Sequence, residues 1–181
     1  MFVVNVSPDI IDKSQKQVEN YNFGQRYTAN GTKEQQLTGI VGQNVVLDIL
    51  GMDLVDGGQG FDGGIDLVIN NLKIDVKTMG RTTSVKKSYT NNFLKLQDYF
   101  DTDIYIFCSY HKNLQELTIC GWIDKKSFVQ KRKFYPKGSE RNRLDGTTFL
   151  TFADLYEIDM VDLYDVDSVE DLKKQLEKPF E

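Results

Sequence analysis

A single α+β domain, shading toward α/β and built around a central mixed sheet flanked by helices, is the fold class this sequence of 181 residues predicts. Three observations carry that expectation. Thr32 to Gly51 repeats its apolar residues at helical spacing, two short apolar runs flank Asn70-Asn71, and two more strand-like runs precede a closing amphipathic helix. No internal repeat, low-complexity tract or Pro/Ser-rich linker divides the chain, so residues 1–181 are expected to form one unit. Its core would span about 32–123, with a C-terminal elaboration over about 124–181.

In chain order, Ile10 to Tyr21 reads as a short helix. Thr32 to Gly51 is the strongest helix: Leu37, Ile40, Val41, Leu47 and Leu50 recur near helical spacing, and Gly51 is placed to stop it. Another side of that helix carries Gln36, Gly39 and Gln43, where small residues would let the backbone approach a sheet. MDLV is a weak strand and GGQGFDGG a flexible loop. GIDLVI and LKIDVKT, separated by two asparagines, form a β-hairpin, because Asn tolerates the left-handed conformation of a tight turn. Thr90 to Phe100 is expected to be helical. DIYIFCSY and LQELTICGWI are two strands, FLTF and LYEIDM short strand or loop pieces, and SVEDLKKQLE a helix capped by Ser168 and Asp171.

Composition removes several function classes. One histidine, His111, leaves little for a His/Cys zinc site or a Ser-His-Asp triad. Cys108 and Cys120 both lie in apolar runs and read as buried free thiols of a reducing cytosol. No apolar stretch is long enough to span a bilayer, and MFVVNVSPDIIDK has neither a basic leader nor a small-residue cleavage site. The expected location is therefore cytoplasmic, with no membrane partner. A net charge of −5 argues against a nucleic-acid binder, but its distribution does not. Lys131 to Arg143 holds six basic residues (Lys131, Arg132, Lys133, Lys137, Arg141, Arg143) against Glu140, while the chain from Asp154 onward is acidic. Attraction to phosphate follows local patches, so DNA is a permitted partner, although such a run alone reads as a solvated loop.

The hairpin is where chemistry becomes legible. A two-residue turn at Asn70-Asn71 sets Ile69 opposite Leu72, Leu67 opposite Ile74 and Asp66 opposite Asp75. Alternation then gives one apolar face (Leu67, Ile69, Leu72, Ile74, Val76) and another bearing Asp66, Asp75 and Lys77. Carboxylates facing each other across strands repel, and a hard cation such as Mg²⁺ between them removes the repulsion. Two acids, a divalent cation and an ammonium suit phosphodiester hydrolysis.

The pattern Gly64-Ile65-Asp66, eight residues, then Asp75-Val76-Lys77 resembles the PD-(D/E)xK nuclease superfamily, chiefly over residues 32–110. The resemblance implies a restriction-endonuclease-like αβββαβ core and a restriction-type or phage-encoded enzyme. It also implies a Mg²⁺ (or Mn²⁺) site with Asp66, Asp75 and the Val76 carbonyl as ligands. Lys77 would orient or deprotonate the attacking water, and DNA cleavage would leave 5′-phosphate ends. The family commonly adds a helix glutamate in a Gly-Glu context; here that position is Gly42-Gln43, an amide. Glu34 is a possible substitute nine residues away, but Gln43 is the preferred supporting group. Lys131, Arg132, Lys133, Lys137, Arg141 and Arg143 are then candidate DNA contacts, and a homodimer is a common form of such double-strand cutters. Two other expectations stand beside this one. Asp66 and Asp75 could be the solvated polar face of an edge hairpin, and the chain could be a non-catalytic nucleic-acid-binding or assembly module that keeps the nuclease fold.

Overall fold

The computed structural model describes residues 1–23, 31–54, 63–142 and 146–178. Among these, β1 (Phe2–Asn5) leads into α1 (Pro8–Asn20), which starts one residue after Ser7. The Ser7 side chain accepts from the Ile10 amide, and Pro8 fills a first-turn position where no amide donor is needed. α2 (Lys33–Leu50) has both halves of a capping box, Thr32 accepting from the Gln35 amide and Gln35 from the Thr32 amide. It ends where expected, at Gly51, whose φ of 76° lets the chain turn out of the helix. α1 and α2 are fastened by Asn44 Nδ2, which donates to Ser14 Oγ and to Gln17 Oε1, each at 2.9 Å in the interior.

The main sheet has five strands in the order β1-β6-β5-β3-β2. β2 (Leu67–Ile69) and β3 (Leu72–Arg81) form the expected hairpin, with Ile69 opposite Leu72 and Leu67 opposite Ile74. Asn70 and Asn71 have φ of 50° and 64°, the two left-handed residues a tight hairpin requires. β5 (Ile104–His111) runs parallel to β3, and β6 (Glu116–Asp124) pairs antiparallel with β5, so the sheet is mixed. One face packs on α1, α2 and α4 (Val169–Glu177): Ile74, Val76, Ile104, Ile106, Val41, Val45, Leu172 and Leu176 form one core. The other face packs Tyr105, Phe107 and Ile123 against Phe93, Phe128, Tyr156 and Ile158. That second core lies under α3 (Lys125–Lys131) and a three-stranded sheet of β4 (Thr90–Leu94), β10 (Leu155–Asp159) and β7 (Lys133–Tyr135), in the order β4-β10-β7. β8 (Glu140–Asn142) and β9 (Thr148–Leu150) make a separate hairpin.

The fold is α+β with a mixed sheet, as expected, but several elements differ. Thr90 to Phe100 is not a helix: Thr90–Leu94 is β4, and only Lys95–Gln97 makes a single 3₁₀ turn. The run opens Thr-Asn-Asn, poor helix formers, and alternates buried Asn91 and Phe93 with half-buried neighbours, a two-residue period paired to β10. The connection from β3 to β5 is therefore a strand plus a turn, where an αβββαβ core has a helix. Met52 to Leu54 form no strand, and Val55 and most of the Gly-rich loop, 57–62, lie outside the described residues. The stretch Lys131 to Arg143 is not one loop but holds the end of α3, then β7 and β8; Arg143 lies outside the described residues. Gly39 faces open space, and the glycine against the sheet is Gly42 instead, where a Cβ would stand 1.9 Å from Thr78 Oγ1. No described helix is long and apolar enough to cross a membrane. Cys108 and Cys120 are free and buried, in different cores on the two faces of the sheet.

Candidate active site on the β2–β3 hairpin

Gly63 and Gly64, with φ of 73° and 80°, deliver the chain to the hairpin. Gly64 is irreplaceable in that geometry, because a Cβ there would lie 2.1 Å from the Phe100 ring. Thr102 Oγ1 donates to the Gly64 carbonyl at 3.2 Å and ties this approach to the base of β5. Asp66 follows just before β2. Strict register would pair its backbone with Asp75, but its amide donates to the Ile74 carbonyl at 2.9 Å, a residue short of that. Its carboxylate Oδ2 accepts from the Val76 amide at 2.6 Å, extending the ladder where β2 has ended. A strand residue's N–H and C=O point to the same side, so the Val76 carbonyl lies along the edge that Asp66 occupies. The direct opposition of the two aspartates is thus replaced by a stagger along β3.

Asp75 lies on the face away from α2. Thr78 meets Gly42 of α2, Ile74 and Val76 belong to the α2 core, and alternation sends Asp75 and Lys77 to the other side. There Lys77 Nζ sits 2.6 Å from Asp75 Oδ2, and the two side chains are only 14% and 3% exposed. The ammonium also stands 5.4 Å from the centroid of the Phe93 ring. An Asp this deeply covered is not on a solvated edge, so that reading fails for Asp75. Burial of a carboxylate needs a cationic partner or several hydrogen bonds, and Lys77 supplies the charge.

Tyr105 stands beside Asp75 in the parallel β3–β5 register, fully buried. Burial, with the Asp75 and Asp98 charges adding to it, holds its phenol well above the ordinary value. Sequence reasoning missed this neighbour, since only the long-range pairing of β3 with β5 brings residues 75 and 105 together.

Gln43 is buried on α2, next to the Gly42 that touches β3. Since α2 covers the opposite face, β3 stands between the helix that carries Gln43 and the Asp75–Lys77 pair. Among the described residues no strand pairs with β3 on the β2 side beyond Ile74. Glu34 is not a substitute: it is exposed and ion-paired to Lys112.

The basic run is largely matched by carboxylates. Lys131 lies 3.5 Å from Asp162, Lys133 2.6 Å from Asp159, and Arg132 pairs with Asp98 while its guanidinium stacks 3.8 Å from the Tyr156 centroid. Arg141 makes two hydrogen bonds to buried Glu157, at 3.0 and 2.6 Å, and stacks on Tyr135. Lys137 is exposed, and among the described residues its ammonium makes no ion pair. The DNA-contact expectation for Lys131, Arg132, Lys133 and Arg141 thus meets four side chains that already have structural partners.

The oxygens expected to hold a cation are the carboxylates of Asp66 and Asp75 and the Val76 carbonyl. Among the described residues no group of three His, Cys, Asp or Glu side chains gathers as metal ligands. Two carboxylates fit Mg²⁺, which typically keeps several waters and takes substrate phosphate oxygens as further ligands. Comparison with known proteins adds no relative: no family model, no curated protein and no solved structure matches this chain.

Proposed function

We propose that the chain is a Mg²⁺-dependent endonuclease that hydrolyses DNA phosphodiester bonds at the β2–β3 hairpin. The observation that carries this reading is the buried Asp75–Lys77 pair on β3, 2.6 Å apart, with the Asp66 carboxylate accepting from the amide of Val76 between them in sequence. Asp66, Asp75 and the Val76 carbonyl would hold Mg²⁺, or Mn²⁺ in its place. When bound, the ion supplies charge stabilisation at the phosphoryl oxygens and makes water more acidic. Lys77, freed from Asp75, offers N–H donors that orient the attacking water or, once deprotonated, takes its proton. The aromatic lid of Phe93 lowers the local dielectric and strengthens these charge interactions. Gln43 would add a neutral polar group where the family commonly has a carboxylate.

The test is cleavage of plasmid, single-stranded and branched DNA with Mg²⁺, Mn²⁺ or EDTA, comparing wild type with Asp75→Asn and Lys77→Ala. Metal-dependent cutting by wild type that both substitutions abolish, in folded variants, is the expected result. Wild type that cuts none of these substrates overturns the reading. A non-catalytic nucleic-acid-binding module is then favoured, because Asp75 and Lys77 already satisfy each other beneath Phe93. That second reading expects DNA binding unaffected by EDTA.

A further inference from the structure

The Tyr105 hydroxyl is a buried polar group that packing does not explain. Its ring is seated among aromatics, 5.1 Å from Phe93 and 5.0 Å from Phe128 between centroids. A phenylalanine would fill that place equally well. Yet the side chain is fully buried, and among the described residues its oxygen has no hydrogen-bond partner. A buried hydroxyl left in this condition is destabilising. The phenol shares a sheet face with Asp75 on the adjacent strand and feels two carboxylates, Asp75 and Asp98, the latter paired with Arg132. On adjacent strands of one face, the hydroxyl and the Asp75 carboxylate lie in the same covered layer.

We propose that Tyr105 is a positioning residue for Asp75: its hydroxyl, directly or through one water, donates to the Asp75 carboxylate and fixes the oxygen not turned toward a divalent cation. The proposal rests on the nuclease reading of Asp75. Here Lys77 supplies the charge beside Asp75. A carboxylate that turns toward a cation gives up that ammonium and keeps one orientation only if another donor holds its second oxygen. Tyr105 is a donor within the same buried layer whose polar atom has no other partner among the described residues. Removal of such an outer partner typically weakens metal binding by about 10–100-fold.

The experiment is calorimetric titration of the DNA-free protein with MgCl₂ and MnCl₂, alongside thermal unfolding, for wild type, Tyr105→Phe and Asp75→Asn. Tyr105→Phe is expected to fold, to melt no lower than wild type without metal, and to bind Mn²⁺ about tenfold or more weakly. Equal affinity in wild type and Tyr105→Phe overturns this proposal alone and leaves Tyr105 a packing residue. Wild type that binds neither ion overturns it together with the nuclease reading. Should the phenylalanine variant not fold, the Tyr105 ¹³Cζ resonance of wild type decides. It moves on Mg²⁺ addition, and not in Asp75→Asn, if the hydroxyl takes up this bond; a resonance that stays still overturns the idea.

Discussion

Asp75 and Lys77 are bound to each other by burial as much as by charge. With 3% and 14% of the two side chains exposed, neither ion has water to fall back on. Removing one charge strands the other, which in buried pairs costs roughly 3–5 kcal/mol. Asp75→Asn should therefore lower the urea midpoint substantially, and Asp75→Leu with Lys77→Met should recover most of that loss. A double variant no more stable than Asp75→Asn would mean that the pair is solvated. The same reasoning governs any cleavage assay, since a variant here loses activity by unfolding unless its melting is checked. Asp165 gives a pH prediction at this scale. Hydrogen bonding to Lys87, and then to the terminal amine, pulls its pKa down to about 2. Its folded value lies below the unfolded one of about 3.9, so its contribution is present above that value and is lost as pH falls toward 2. Asp165→Asn should flatten the acid side of the Tm–pH curve between about pH 4 and 2, and the difference should shrink in high salt because the pair is half exposed. An acid limb that keeps its slope in Asp165→Asn would remove the group from the account.

Elements with their own local instructions were legible in the sequence. The Asn70-Asn71 turn fixes the hairpin register because both residues accept positive φ, and Thr32 and Gly51 bound α2 with their own side-chain and backbone chemistry. What decided the rest was long-range. β4 became a strand because β10, some sixty residues on, offers it an edge, and the Phe93 side chain enters a core no local window contains. In β6 the pairing with β5 shifts between Phe107 and Cys108, and Gly121 has φ of 142° with the Tyr164 carbonyl 2.5 Å from where a Cβ would be. That bulge reverses the alternation, so that Cys120 and Ile123 share one core while Trp122 faces the other. Of the candidate site, the shared face of Asp75 and Lys77 on β3 followed from the turn, the direct opposition of Asp66 and Asp75 did not hold, and Tyr105 and Phe93 required the tertiary pairing. Helix-to-sheet distance was misplaced by three residues, from Gly42 to Gly39, because apolar periodicity does not say which small residue touches. Gly42→Ala tests that contact. Its methyl would overlap Thr78 Oγ1, Cβ and Cγ2 at 1.9 to 2.9 Å, and overpacking of this kind costs about 1–3 kcal/mol. Thr78→Ala in the same chain should recover part of the loss in chemical unfolding. Full stability in Gly42→Ala alone would show that α2 can slide off β3 without cost.

For the molecule as a whole, the net charge of −5 is less informative than how the positive charges are spent. Lys131, Arg132, Lys133 and Arg141 are held by Asp162, Asp98, Asp159 and Glu157, and three of these acids come from β10 or the segment just after it. The acidic C-terminal stretch therefore neutralises much of the basic run in space, and these pairs tie β7, α3 and β8 to β10 and the segment after it. Arg141 is the extreme case: Glu157 is buried, and truncating the arginine would strand it, so loss of DNA binding in Arg141→Ala would report unfolding of the β8–β9 hairpin. Lys137 offers the cleaner reading because, among the described residues, its ammonium has no carboxylate to leave behind. Each lysine that neutralises a duplex phosphate contributes about 0.9 to the slope of log K against log salt. If DNA lies along this run, Lys137→Ala should reduce the slope by about that amount, while Lys131→Ala and Lys133→Ala should change it far less, since they exchange one partner for another. Fluorescence anisotropy with a labelled duplex at several salt concentrations makes the measurement. An unaltered slope in Lys137→Ala places the DNA path away from this run.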